Sequence, residues 1–236
     1  MPPATPQPFV ERDFQVYAKH RQDDPEYNAL RLGVRRKLKG LADAVKKRAK
    51  EQGFTLDSMA GLHHPYSFNS FRVREQRAYL CRGARERKKL AGFFGEALGK
   101  DAETHYIQTV LEVSIDAQVV EAALRIHPQA WWDGQHLKKT VAEEDGMNAW
   151  CENLRALPGG FSLRMHDWKG MWWAGEASPH TMRDYFEAYT PGDHWLHLVR
   201  ELPAEDATAM GEDGPEWVIT SLLSLLPTWQ SILWTP

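Results

Sequence analysis

The sequence predicts an α+β fold, a mainly antiparallel sheet built from hairpins with helices before, between and after the strands. Three observations predict it. From His105 to His127 the chain reads as one antiparallel hairpin. Ile107, Thr109, Leu111, Val113 and Ile115 share a face at period 2, and Val120, Ala122, Leu124 and Ile126 repeat the pattern after a turn at Asp116-Ala117-Gln118. Pro25 to Gln52 carries Leu30, Val34, Leu38, Leu41, Val45 and Ala49 at steps of three and four, the stripe of an amphipathic helix. Beyond a break at Pro158-Gly159-Gly160, Phe161 to His166 and Lys169 to Gly175 form a second hairpin.

In chain order, Phe9 to His20 predicts a short helix stopped by Asp23-Asp24-Pro25, and the long helix that follows ends at Gly53. Thr55 to Ser70 reads as a loop holding His63-His64-Pro65, Tyr66, Phe68 and Asn69. Phe71 to Arg82 predicts a strand with Arg72, Arg74 and Arg82 on one face and Val73, Tyr79 and Cys81 on the other. Ala84 opens a helix that buries Leu90, Phe93, Phe94, Ala97 and Leu98 and ends at Gly99. After the central hairpin, helices are expected around His136 to Glu144 and over Asp145 to Leu157, the latter with Met147, Trp150, Cys151 and Leu154 inward. Ser178-Pro179 supplies the cap and first-turn proline of a helix reaching Tyr189, Trp195 to Leu202 is a strand, and a helical segment runs from Pro215.

The uncharged stretch Trp217 to Pro236 is long enough to span a membrane. Pro227, Gln230 and the lack of a Lys/Arg flank favour instead a buried helix pair broken at Pro227. The expectation is one α+β domain over residues 1–236, with Pro158 to Gly160 as the division should it separate into 1–157 and 161–236.

Composition points to a soluble, cytoplasmic protein, since 42% apolar residues suffice for a core and Cys81 and Cys151 stand far apart, with no disulfide framework and no zinc-type spacing. The start, MPPATPQPF, lacks the basic and apolar regions of a secretory signal. No cofactor or metal site is expected. The net charge of -3 hides an asymmetry: residues 1–100 hold 21 Lys+Arg against 11 Asp+Glu, and the remainder hold 8 against 21.

Phe9, Asp13-Phe14, Val16-Tyr17, then Leu30, Val34, Lys37 and Leu38-Lys39 resemble the start of the YktB-like family of uncharacterised bacterial proteins. The overlap covers about 40 residues; the family's Lys-His-Ala-Arg-Arg run and tryptophan-rich strand are missing. The resemblance implies an α+β fold and no assigned activity.

No GxSxG, P-loop, GxGxxG or HExxH motif is present. Ten histidines invite an acid-base reading, in which His63, His64, His127 and Asp133 line a hydrolase-like cleft, with His166-Asp167 as a further base and carboxylate. Asp193-His194-Trp195-Leu196-His197 reads as strand, which separates its two histidines onto opposite faces. Glu112 and Glu121 are expected to face each other across the central turn, and Cys81 beside Arg82 would be either an activated thiol or a buried strand residue. The basic segments 31–50 and 72–89 carry nine and eight cations. Arg35, Arg36, Lys39, Arg72, Arg74, Arg82, Arg85, Arg87 and Lys88 would form a phosphate footprint if they share a surface. The bland alternative pairs them with the acidic runs at 143–145, 205–206 and 212–213, within the chain or between two copies. The first function expected is therefore a non-enzymatic nucleic-acid-binding or regulatory module, followed by the hydrolase-like enzyme and a self-associating interaction module.

Overall fold

A computed structural model describes residues 6–99, 107–166, 168 and 170–235. Helix α1 (Glu11–Gln15) and two 3-10 turns lead into the long α2 (Asn28–Glu51), which ends at Gly53 with φ +89°. Strands β1 (Leu56–Ala60) and β2 (Gln76–Arg82), helix α3 (Ala84–Gly99) and the hairpin β3 (Val110–Ile115) and β4 (Val119–Ile126) follow. Next come α4 (Trp131–Ala142), α5 (Glu144–Arg155), β5 (Phe161–Met165), β6 (Met171–Trp173), α6 (Pro179–Ala188) and β7 (Leu196–Pro203). The last elements are α7 (Ala204–Ala209), α8 (Asp213–Ser224) and α9 (Leu226–Ile232).

The strands form one antiparallel sheet in the order β1-β2-β3-β4-β7-β5-β6, so strands from either side of Pro158–Gly160 share it. The predicted hairpin sets the register: Leu111 lies between Leu80 and Leu124, Val113 between Ala78 and Ala122. This row continues through Leu198 to Leu163. All of these belong to one core with Leu38 and Leu41 of α2, Leu137 of α4, Trp150 of α5, Leu222 of α8 and Trp229 of α9. These five helices therefore stack on one face of the sheet.

The opposite face joins a small apolar cluster of Tyr79, Cys81 and Val110 to a set of largely buried polar side chains. Arg125 runs along β4 past Ala123 to Glu121, with its Nε 3.0 Å from Glu112, and Arg164 runs past Ser162 to a bidentate pair with Glu201 at 2.8 and 2.7 Å. The arginine stems cover the small residues beneath them, doing there what a second helical layer would do. Glu112 sits opposite Ala123 and Glu121 opposite Ser114, so the two acids do not face each other; Arg125 reaches both.

Other expectations shift. A strand, β1, lies inside the stretch read as a loop, and β2 begins only at Gln76, which leaves Arg72 and Arg74 in the connection and off any strand face shared with Arg82. α4 begins at Trp131, five residues before the expected start, and α7 was not anticipated. The uncharged C-terminal stretch forms most of α8 and all of α9, with Pro227 in the first turn of α9. Among the described residues no helix is long and apolar enough to cross a membrane. His105, Tyr106, Asp167 and Lys169, and the side chains of Phe94, Ala97 and Leu98, lie outside the described residues.

Candidate functional site

Between β1 and β2 the chain makes a 15-residue excursion, 61–75, whose base and interior are both fixed. At the base, Gly61 N donates to Arg77 O (2.9 Å), and Arg35 from α2 donates to Gly61 O (2.8 Å) and Ala60 O (3.3 Å). Gln76 adds bonds to Gly61 O and Leu62 O. On the return leg, Val73 is buried and its N–H donates to Gln22 O at 2.8 Å.

Inside the loop, Asn69 does the organising. Its Oδ1 accepts from Tyr66 N (2.8 Å) and its Nδ2 donates to His64 O (2.9 Å), closing a compact turn over Ser67–Asn69. Ser70 and Phe71 then both adopt left-handed backbone, φ 53° and 57°, a conformation that costs a non-glycine residue on the order of 1 kcal/mol or more. Backbone bonds from Phe71 N to Tyr66 O (2.9 Å) and Arg72 N to Asn69 O (3.0 Å) hold it there.

The consequence is a tip that presents aromatic rings to solvent: Phe68 is 82% exposed, Phe71 62% and Tyr66 52%. Arg72 and Arg74 beside them are exposed, with no ion pair among the described residues. His63 and His64 meet edge to face at 5.0 Å, and His64 approaches Tyr66. Burial, then neighbouring His64 and the guanidinium groups of Arg35, Arg31 and Arg36, push the pKa of His63 below its ordinary value. The loop therefore stands in the positive field of the first half of α2.

The nine cations of the expected footprint divide into two groups. Arg35 pins the loop base, and Lys39 is bound to Asp43 (2.5 Å) and Ser58 (3.1 Å). Arg82 is buried against Asp133, and Arg87 is buried against Asp57 (2.7 Å) and Arg82 O (2.5 Å). These four hold the fold together. Arg36, Arg72, Arg74, Arg85 and Lys88 are exposed and lack ion-pair partners among the described residues, as do Lys47, Lys50 and Lys89.

The His/Asp cleft does not assemble. His63 and His64 follow the end of β1 that pairs beside the 116–118 turn, whereas His127 follows β4 at the opposite end of the strands, and two strands, β2 and β3, lie between. His127 accepts a bond from Gln129 N through Nδ1 and packs on Trp195 at 4.1 Å; burial, then Arg77, lowers its pKa to about 4. Asp133 projects from α4 into the helical layer and is taken by Arg82. Two surface cavities of about 610 and 460 Å³, between α1 and α7 and between α2 and α8, contain none of the four residues. Among the described residues no three His, Cys, Asp or Glu side chains cluster as a metal site. Cys81 is not activated: burial outweighs Arg87 and raises its thiol to about 11. No known protein-family model matches the chain, and no curated protein matches it significantly.

Proposed function

We propose that this chain is a non-enzymatic protein that binds a polyanion, nucleic acid foremost, through the exposed cations of its basic N-terminal half. One observation carries the reading. The acidic runs at 143–145, 205–206 and 212–213 make no ion pair with Arg36, Arg72, Arg74, Arg85 or Lys88, so the internal pairing that would explain the cations away is missing among the described residues. Among the described residues, the ion pairs that do join the two halves are Arg48–Glu216, Arg77–Glu112 and Arg82–Asp133. Exposed, unpaired arginines favour phosphate because their planar forks bind it bidentately and displace condensed counterions.

The test is binding of labelled oligonucleotides over a salt series, comparing wild type with Arg36, Arg72, Arg74, Arg85 and Lys88 changed to Gln. Affinity should fall linearly with log salt, and the slope should shrink by roughly 0.7–0.9 for each cation that contacts phosphate. No binding at low salt defeats the reading. A second reading rests on the same unpaired acids, with the cations of one copy meeting the acidic runs of another. It requires a dimer whose mass, by light scattering, falls to the monomer as salt rises.

A further inference from the structure

Resting on that polyanion reading, we infer that the ligand is single-stranded nucleic acid, its bases stacking on Tyr66, Phe68 and Phe71 while Arg72 and Arg74 take its phosphates. A loop of ordinary flexibility would fold three rings in six positions against the body to remove them from water. Here Asn69, the left-handed pair Ser70–Phe71 and the buried Val73 anchor keep them outward. The backbone strain has no evident benefit for the fold, since the rings it displays touch little of it; strain of this kind is found where a conformation is kept ready for a ligand.

The chemistry of the tip selects among ligands. Ser67, Asn69 and Ser70 separate the aromatic residues, so the loop offers discrete ring faces rather than the continuous apolar surface that a lipid layer or a protein partner would cover. Discrete ring faces next to unpaired arginines are what unstacked bases on a phosphate chain require. Duplex nucleic acid keeps its base faces inside the stack, so it would meet the arginines and leave the rings unused. Arg35 and Arg36 extend the positive field around the same loop, the field that holds the pKa of His63 down.

The experiment is fluorescence anisotropy with a labelled oligothymidylate, a duplex of the same length and heparin, at low salt. Phe68→Ala and Phe71→Ala, at exposed positions and verified as folded by circular dichroism, should each weaken oligothymidylate binding roughly 5- to 150-fold and leave heparin and duplex binding unchanged. Phe68→Trp should retain binding and show indole emission quenched by the stacked base. If single strand and duplex bind equally and the alanine variants match wild type, the stacking inference falls and the polyanion reading survives. If oligonucleotides and heparin all fail to bind, both fall. Binding to anionic phospholipid vesicles, or capture of a protein, that is lost in Phe68→Ala without any oligonucleotide binding would also overturn the inference.

Discussion

Arg82 and Asp133 face each other at the end of the sheet as a buried bidentate pair, Nη1 to Oδ2 at 3.0 Å and Nη2 to Oδ1 at 2.6 Å, each side chain 3% exposed. The carboxylate also accepts from Thr109 N and Oγ1, both at 2.8 Å, and from Trp234 N at 2.9 Å, while Arg82 donates to Trp234 O at 3.0 Å. One acid thus joins β2, the start of β3, α4 and the residues after α9.

Asp133→Ala should be among the most destabilising single changes in the chain. It strands a buried guanidinium and leaves the Thr109 and Trp234 N–H groups without this acceptor, a loss of about 3–5 kcal/mol. Arg82→Met keeps the apolar stem and leaves the carboxylate its Thr109 and Trp234 donors, so its loss should be smaller. Urea unfolding of both variants checks the order. Equal or reversed losses would mean that the arginine, not the acid, organises this corner.

His197 should make the protein acid-sensitive. It lies on the polar face between Arg125 and Arg164, and its Nε2 is buried with no hydrogen-bond partner among the described residues. Burial, then Arg125, pushes its pKa down to about 3, with Arg77 and Arg164 acting the same way and Glu112 opposing. The unfolded chain binds the proton near pH 6.5 and the folded chain only near 3, so stability is lost as pH falls through that window. Between pH 7 and 5 the loss from this residue is about 2 kcal/mol. His197→Gln should flatten the decline, measured as unfolding free energy at the two pH values. An unchanged slope would assign the acid sensitivity elsewhere.

The elements legible in the sequence were those whose own periodicity carries the packing. The β3–β4 hairpin follows its alternation, and its turn works without glycine because Asp116 Oδ1 accepts from Gln118 N (2.7 Å) and Val119 N (2.9 Å). α2 likewise forms where its stripe predicts and buries Val34, Leu38, Leu41, Val45 and Ala49, although Leu30 at its start is exposed. β1 was hidden because its core-facing positions include Ser58, satisfied by Asp43 (2.5 Å) and Lys39 (3.1 Å) rather than by apolar packing. The division of the basic footprint into structural and exposed cations is not legible for a different reason. Nothing near Arg82 reveals a partner 51 residues away, nor near Arg87 one 30 residues back, so structural and free cations look alike along the chain. The exposed tip at Phe68 was visible only as an aromatic cluster, because exposure depends on Asn69 and on the left-handed backbone beyond it.

Two glycines make opposite predictions from one chemistry. A Cβ at Gly146, in the first turn of α5, would lie 1.9 Å from Thr140 O and 2.8 Å from its carbonyl carbon, so Gly146→Ala forces the α4–α5 junction apart. A loss of at least about 2 kcal/mol is expected, against the roughly 1 kcal/mol that helix propensity would add. At Gly33, on the exposed side of α2, nothing lies within 4 Å, so Gly33→Ala should stabilise by about 0.5–1 kcal/mol. Thermal melts of the pair should move in opposite directions; a neutral Gly146→Ala would require a looser junction than the one described.

Asn69→Ala separates preorganisation from contact at the aromatic tip. Asn69 is held within the loop by its bonds to Tyr66 N and His64 O, and the loop's anchors at Gly61 and Val73 do not depend on it. The global stability should therefore change by no more than about 1 kcal/mol, the worth of one or two partly exposed hydrogen bonds. Locally the effect should be larger: without the Asn69 clasp, the left-handed Ser70–Phe71 backbone loses its closest support and relaxes, letting the rings fold inward. Amide exchange should quicken at Tyr66, Phe71 and Arg72, whose N–H groups bond within the loop, while β2 and β3 keep their protection. Affinity for oligothymidylate should fall together with that protection although no aromatic or cationic side chain has been removed, since the ordering would then have to be supplied on binding. Unchanged exchange with weakened binding would instead make Asn69 a direct contact to the ligand.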